Sequence, residues 1–129
     1  MHKVVHFEIP ADDEGRAREF YGATFGWDVQ EIPEVQYTVV MTTPVDPETQ
    51  VPTEPGGING GLMKRTADTP SPVLTVEVES IDDTLRRIEA GGGSTVRPRT
   101  EIQAMGAFAY FKDTEGNVLG LWESFQPQG

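Results

Sequence analysis

One order of elements occurs twice along this chain, and that repetition limits the fold more than any single residue does. Lys3 to Ile9 alternates apolar and polar residues with a period of two, the signature of a strand. Pro10 is expected to stop it. Asp12 and Asp13 supply N-cap chemistry for a helix from about Asp13 to Phe25, with Ala17, Phe20, Tyr21 and Thr24 as its buried stripe and Gly26 as its end. Trp27 to Ile32, Gln36 to Thr42 and Ile58 to Arg65 read as three further strands. The Pro-rich stretch Thr43 to Gly57 is a loop between the last two.

The pattern then restarts. Val73 to Val78 is a strand. Ser80, with Asp83 three residues on, caps a helix carrying Ile81, Leu85 and Ile88, which Gly91 to Gly93 ends. Thr95 to Arg97, Phe108 to Lys112 and Val118 to Glu123 complete the strands, and Asp113 to Asn117 is a turn. Residues 125–129 read as a loose tail. An offset of 67 lays Phe7 on Leu74, Ile9 on Val76, Tyr21 on Ile88 and Gly26 on Gly93. An offset of 59 lays Gly61 on Gly120. The expected fold is α+β: one domain over residues 1–129 made of two tandem βαβββ modules, about 1–66 and about 72–125. One such unit cannot bury both faces of its sheet. Two side by side curl a mixed sheet into a cup with helices outside and a concave face inside.

Composition removes several function classes. The net charge of −11 disfavours a nucleic-acid backbone and an anionic membrane surface as partners. The absence of cysteine excludes disulfides, thiolate metal sites and cysteine nucleophiles. No apolar run approaches the roughly 18 residues of a membrane span. Met1-His2-Lys3 leads straight into Val4 and Val5 with no signal-sequence pattern, so the expected compartment is the cytoplasm. There is no phosphate-cradling glycine loop and no nucleophile elbow.

The segment HFEIPADDEGRAREFYGATFGW resembles the opening of proteins in the vicinal oxygen chelate superfamily, which includes glyoxalase I, bleomycin-resistance proteins and extradiol dioxygenases. AYFKDTEGNVLGLWE resembles its closing signature, and GGINGGLMKR is similar to a glyoxalase-like subgroup. The resemblance covers nearly the whole chain and implies the cup fold. It implies little about chemistry, because this scaffold carries isomerases, epimerases, dioxygenases and plain binding proteins.

The resemblance also implies where a metal would sit: one ligand on the first and one on the last strand of each module, usually His or Glu. Carried over, these positions fall on His6, about Gly61, Val73 (or Leu74 if the register slips by one) and Gly120. One donor of four remains, while a divalent ion needs three or four. The expectation is therefore a metal-independent protein without cofactor. The alternative is a metal-dependent lyase or isomerase with a shifted ligand set such as His6, Glu8 and Glu77. A third reading is a non-catalytic dimeric binding or accessory module.

Strand parity selects the site. If Phe7 and Ile9 face the helices, His6 and Glu8 face the cup, about 7 Å apart, as an acid/base pair. The bland reading makes His6 a hydrogen-bonded packing residue and Glu8 a solvated carboxylate or a partner for Arg97 or Arg99. In the second module Leu74, Val76 and Val78 take the helix side, leaving Thr75 in the cup with Phe108, Tyr110, Gly120 and Trp122. The expected site is His6 and Glu8 as catalytic residues, with Asn59, Thr75, Phe108, Tyr110 and Trp122 binding a small, partly apolar or aromatic ligand. Tyr37, Val39 and Met41 form a further lining row. Gly60, Gly61 and Gly120 either leave room for a ligand or allow close strand approach. A homodimer is expected, because an open sheet leaves edges to cover.

Overall fold

The computed structural model describes residues 1–125; the tail read as loose lies, for residues 126–129, outside the described residues. The described residues hold eight strands and two α-helices in the order β1 (Val4–Ala11), α1 (Glu14–Phe25), β2 (Asp28–Ile32), β3 (Tyr37–Met41), β4 (Asn59–Lys64), β5 (Val73–Glu77), α2 (Ile81–Ala90), β6 (Ser94–Ile102), β7 (Gly106–Lys112) and β8 (Val118–Ser124). This is βαβββ twice, in the α+β class. The chain divides into two compact units, one of residues His6–Pro72 and one of Met1–Val5 with Val73 onward. The first five residues join the second unit because Glu77 N–H donates to the Lys3 carbonyl at 3.0 Å.

In the first unit the strands lie in the order β2-β3-β4-β1, with β1 and β4 parallel and the other pairs antiparallel. Pro10 does not stop β1: it sits opposite Met63, and Ala11 opposite Lys64. Proline takes strand dihedrals and forfeits only its own N–H. The ladder is carried past it by Arg65 N–H donating to the Ala11 carbonyl. Helix α1 starts as the sequence indicates, with the Asp13 carboxylate accepting from Arg16 N–H, and ends on Gly26 at φ 72°. Its expected buried stripe is corrected. Ala17 packs with Phe7, Ile9, Trp27 and Val29 around a core of Ala11, Val40 and Leu62. Tyr21 stacks on Trp27 at 5.3 Å. Phe20 and Thr24, however, are exposed. The face centred on Ala17 and Tyr21 meets the sheet, and Phe20 is turned about 100° away from Tyr21 around the helix.

In the second unit the order is β5-β8-β7-β6. Here α2 is strongly two-faced. Ile81 and Leu85 are buried with Val78, Ala107, Ala109 and Leu121, and Val76, Ile88 and Phe111 pack on that cluster. Ser80 Oγ accepts from Asp83 N–H, as its spacing implies. Two expectations need correction. Leu74 is exposed rather than helix-packed, because α2 lies over β6, β7 and β8 and does not reach the start of β5. β6 runs well past Arg97. Its pairing with β7 shifts register between Thr95 and Arg97 and again between Arg97 and Thr100, so Pro98 falls in an irregular stretch that asks no ladder donor of it.

Candidate functional site

In the first unit β1 shows the expected parity. Phe7 and Ile9 pack on the helix side with Ala17 and Trp27, so His6 and Glu8 occupy the other face of β1. Glu8 is buried and His6 half-buried. Across the sheet, Glu8 is level with Gly61 on β4, and Gly61 with Val39 on β3. Two residues before Val39 stands Tyr37, whose Oη lies 2.9 Å from His6 Nε2. The rings are 6.4 Å apart and inclined by 24°. Since β4 lies between β3 and β1, the phenol crosses a whole strand to reach the imidazole, over two strand spacings of about 4.8 Å.

Gly61 makes that crossing possible. A β-carbon built there would collide with the Tyr37 hydroxyl and ring, and all three of its nearest neighbours belong to the Tyr37 side chain. Gly60 is constrained differently: its β-carbon would run into the Phe7 backbone carbonyl and ring. Of the two readings of these glycines, close backbone approach therefore fits Gly60, whereas Gly61 makes room for a side chain of the protein itself. Burial holds the His6 imidazole down at about 4, so it is neutral at pH 7. Burial first, then the negative charge of Glu8, pushes the Tyr37 phenol well above its ordinary range, so it keeps its proton.

Asn59 lies opposite His6 on β4. Its Oδ1 accepts from Thr42 N–H at 2.7 Å and Thr43 N–H at 3.0 Å, and its Nδ2 donates to the Thr43 carbonyl at 3.1 Å. The amide is thus spent on fastening the end of β3 to the following loop.

The second unit carries the other expected residues on the face opposite α2. Thr75, Gly120 and Tyr110 form one cross-strand row, and Glu77, Trp122 and Phe108 the next. Thr75 is 3% exposed, and its Oγ1 has no hydrogen-bond partner. That hydroxyl would sit 2.8 Å from a β-carbon at Gly120. Phe108 and Tyr110 meet edge to face at 5.6 Å, and the Arg97 guanidinium lies over Phe108 at 5.4 Å. The Trp122 ring covers Gly106. Arg99 is paired with Glu101 at 3.2 Å and Glu123 at 3.0 Å, and Glu123 also accepts from Ile81 N–H at the start of α2. Among the described residues, no group of three His, Cys, Asp or Glu side chains is arranged to hold a metal ion.

The four positions that the resemblance marks for a metal have unlike surroundings. His6 is a donor, but its Nε2 faces a phenol. Gly61 is overlain by Tyr37, Val73 is apolar and 1% exposed, and Gly120 is overlain by the Thr75 hydroxyl. These residues do not fit a divalent ion. The residue that sequence reasoning undervalued is Tyr37, read only as lining. Its signal was a tyrosine one strand removed from a glycine that is itself level with the His6–Glu8 face.

No helix among the described residues is long and apolar enough to cross a membrane. Residues 3–43 match the family model of the bleomycin resistance protein-like N-terminal region. The chain is 30% identical to a glyoxylase-like domain-containing protein of Didymella fabae over 127 residues, 92% of this chain and 91% of the relative. It is 23% identical to the putative glyoxylase CFP32 of Mycobacterium bovis over 91% of its own length but only 44% of the relative's, so it spans less than half of that protein. Among solved structures it resembles a Streptomyces coelicolor methylmalonyl-CoA epimerase variant in complex with 2-nitronate-propionyl-CoA. The TM-score is 0.60 at 17% identity, covering 96% of this chain and 98% of that one, a likeness of fold. The duplicated βαβββ architecture and the identity along almost the whole chain agree: this protein belongs to the vicinal oxygen chelate superfamily, among its glyoxalase-like members.

Proposed function

We propose that this chain is a metal-independent, glyoxalase- and bleomycin-resistance-like protein of the cytoplasm that binds a small, partly apolar or aromatic molecule on the His6–Glu8 face. The observation that carries this reading is the 2.9 Å hydrogen bond between Tyr37 Oη and His6 Nε2. It engages the nitrogen that a metal would need and leaves a neutral polar pair beside the buried Glu8 carboxylate. Val39, level with Gly61, adds apolar surface, the usual mixture for a small-molecule site. His6 and Glu8 supply acid/base groups for a bound carbonyl compound, while Thr75, Phe108, Tyr110 and Trp122 offer a second aromatic surface. The solved epimerase structure holds a CoA ester. A net charge of −11 opposes so polyanionic a ligand here and favours a neutral one. The protein acts as a homodimer.

Acetophenone, an uncharged aromatic ketone, tests the reading by NMR titration of the ¹⁵N-labelled protein. The expected result is saturable shifts at His6, Glu8 and Tyr37 that disappear in His6→Ala. Absence of saturable shifts there, or ligand binding that requires added Zn²⁺, would contradict it, the latter in favour of the metal-dependent lyase or isomerase.

A further inference from the structure

The phenol over Gly61 does more than fill space, and the conclusion deepens the proposed reading of the His6 site, on which it rests. We infer that Tyr37 is the positioning residue of this site: its O–H donates to His6 Nε2, withdraws that nitrogen from any metal ion, and holds the imidazole as the Nδ1–H tautomer. A neutral imidazole has one N–H and one lone pair, and a protonated phenol needs an acceptor. At 2.9 Å the pair is within ordinary hydrogen-bond distance. A tyrosine phenol carries its proton at neutral pH, so the imidazole lone pair at Nε2, 2.9 Å away, is the acceptor on hand, and the ring proton then resides on Nδ1. A metal ion requires that same lone pair.

The arrangement is exclusive. A side chain at residue 61 and the Tyr37 phenol compete for one volume, because the three atoms nearest to a β-carbon at 61 all belong to the Tyr37 side chain. Gly61 has no positive φ, so alanine there is excluded by Tyr37 and not by the backbone. The absence of a side chain at 61 and the tyrosine on β3 thus require each other in this packing. A ligand donor at this position and a metal-free histidine–phenol pair are alternatives that one chain cannot hold together. The outcome is a site that offers a neutral N–H donor at Nδ1, suited to an uncharged acceptor such as a carbonyl oxygen.

Three readouts test this on the full chain, none of which depends on finding the natural ligand. In a cycle of denaturation measurements, Gly61→Ala lowers the folding equilibrium constant at least tenfold in the wild-type background and less than twofold in a Tyr37→Ala background. Gly60→Ala, which meets the Phe7 backbone, is harmful in both. Long-range ¹H–¹⁵N NMR shows His6 as the Nδ1–H tautomer in wild type and loss of that preference in Tyr37→Phe, which keeps the ring. The Tyr37→Ala/Gly61→Glu double variant, which frees Nε2 and adds a carboxylate beside Glu8, binds Zn²⁺ at least tenfold tighter than wild type. The inference is overturned by an equal Gly61→Ala penalty in both backgrounds, by an unchanged tautomer in Tyr37→Phe, or by a folded double variant without zinc gain. Failure of acetophenone to bind would remove the proposed function and leave the interlock standing. A Gly61→Ala penalty that Tyr37→Ala does not relieve would do the reverse.

Discussion

Acid should destabilise this protein through His6 at a higher pH than through Asp46, Asp113 and Glu123. His6 is held down at about 4, against an ordinary value of 6.5, by burial. Between those two values the unfolded chain binds a proton that the folded chain refuses, so stability rises with pH across the window. The contribution is fully present above pH 6.5 and is lost as pH falls toward 4. A tenfold difference in proton affinity is worth about 1.4 kcal/mol. Lowering the pH from 7 to 5 therefore removes about 2 kcal/mol, trimmed toward about 1 kcal/mol because the ring edge keeps some contact with water. Asp46, Asp113 and Glu123 lie below their ordinary carboxylate values. Asp46 and Asp113 are held there by hydrogen bonds, and Glu123 by its bonds to Arg99 and Ile81, which outweigh the opposing cost of burial. Their contributions are present above the usual carboxylate range and fade below about pH 4, outside the His6 window. Urea denaturation of wild type and His6→Gln from pH 7 to 5 isolates the effect, since glutamine keeps an acceptor for Tyr37 and does not titrate. Wild type should lose stability across this range while His6→Gln stays nearly flat. Parallel curves for the two proteins would refute the buried, neutral histidine.

Two further substitutions probe the second unit. Thr75→Val removes the one buried side-chain hydroxyl found without a partner among the described residues, and thermal unfolding should show a gain of about 1 kcal/mol; a loss would mean that the hydroxyl has a partner in solution. Ile81→Ala empties the centre of the α2 core, where the side chain is 0% exposed, and chemical denaturation should register a loss of about 3 kcal/mol.

The two units were legible to different depths. Strand and helix order followed from periodicities and capping residues, because those signals are local: Asp13 and Ser80 cap the helices they were assigned to, and Gly26 ends α1 in the left-handed region. Parity on β1 was also readable, since the large residues Phe7 and Ile9 required a covered face. What failed depended on tertiary register. Phe20 looked like a core residue from its spacing in α1, but which arc of a weakly two-faced helix meets the sheet is decided by the sheet. Pro98 hid the length of β6 because the register shifts that accommodate it are not written locally. The face of β1 that carries His6 was read from the sequence, yet the hydrogen-bond partner of His6 was not. Tyr37 is 31 residues away on a strand that does not neighbour β1, and only the register of β1, β4 and β3 together reveals that the phenol passes over Gly61.

The central claim is that the His6 site works without a metal because a phenol has taken the metal's place at Nε2. Elemental analysis of the protein, purified without chelator or added ions, tests this most directly. The account predicts well under one equivalent of Zn, Ni, Mn or Fe per chain, with the His6 ring signals unchanged by later addition of a chelator. Near-stoichiometric metal, removed by chelator with a shift of the His6 signals, would contradict it.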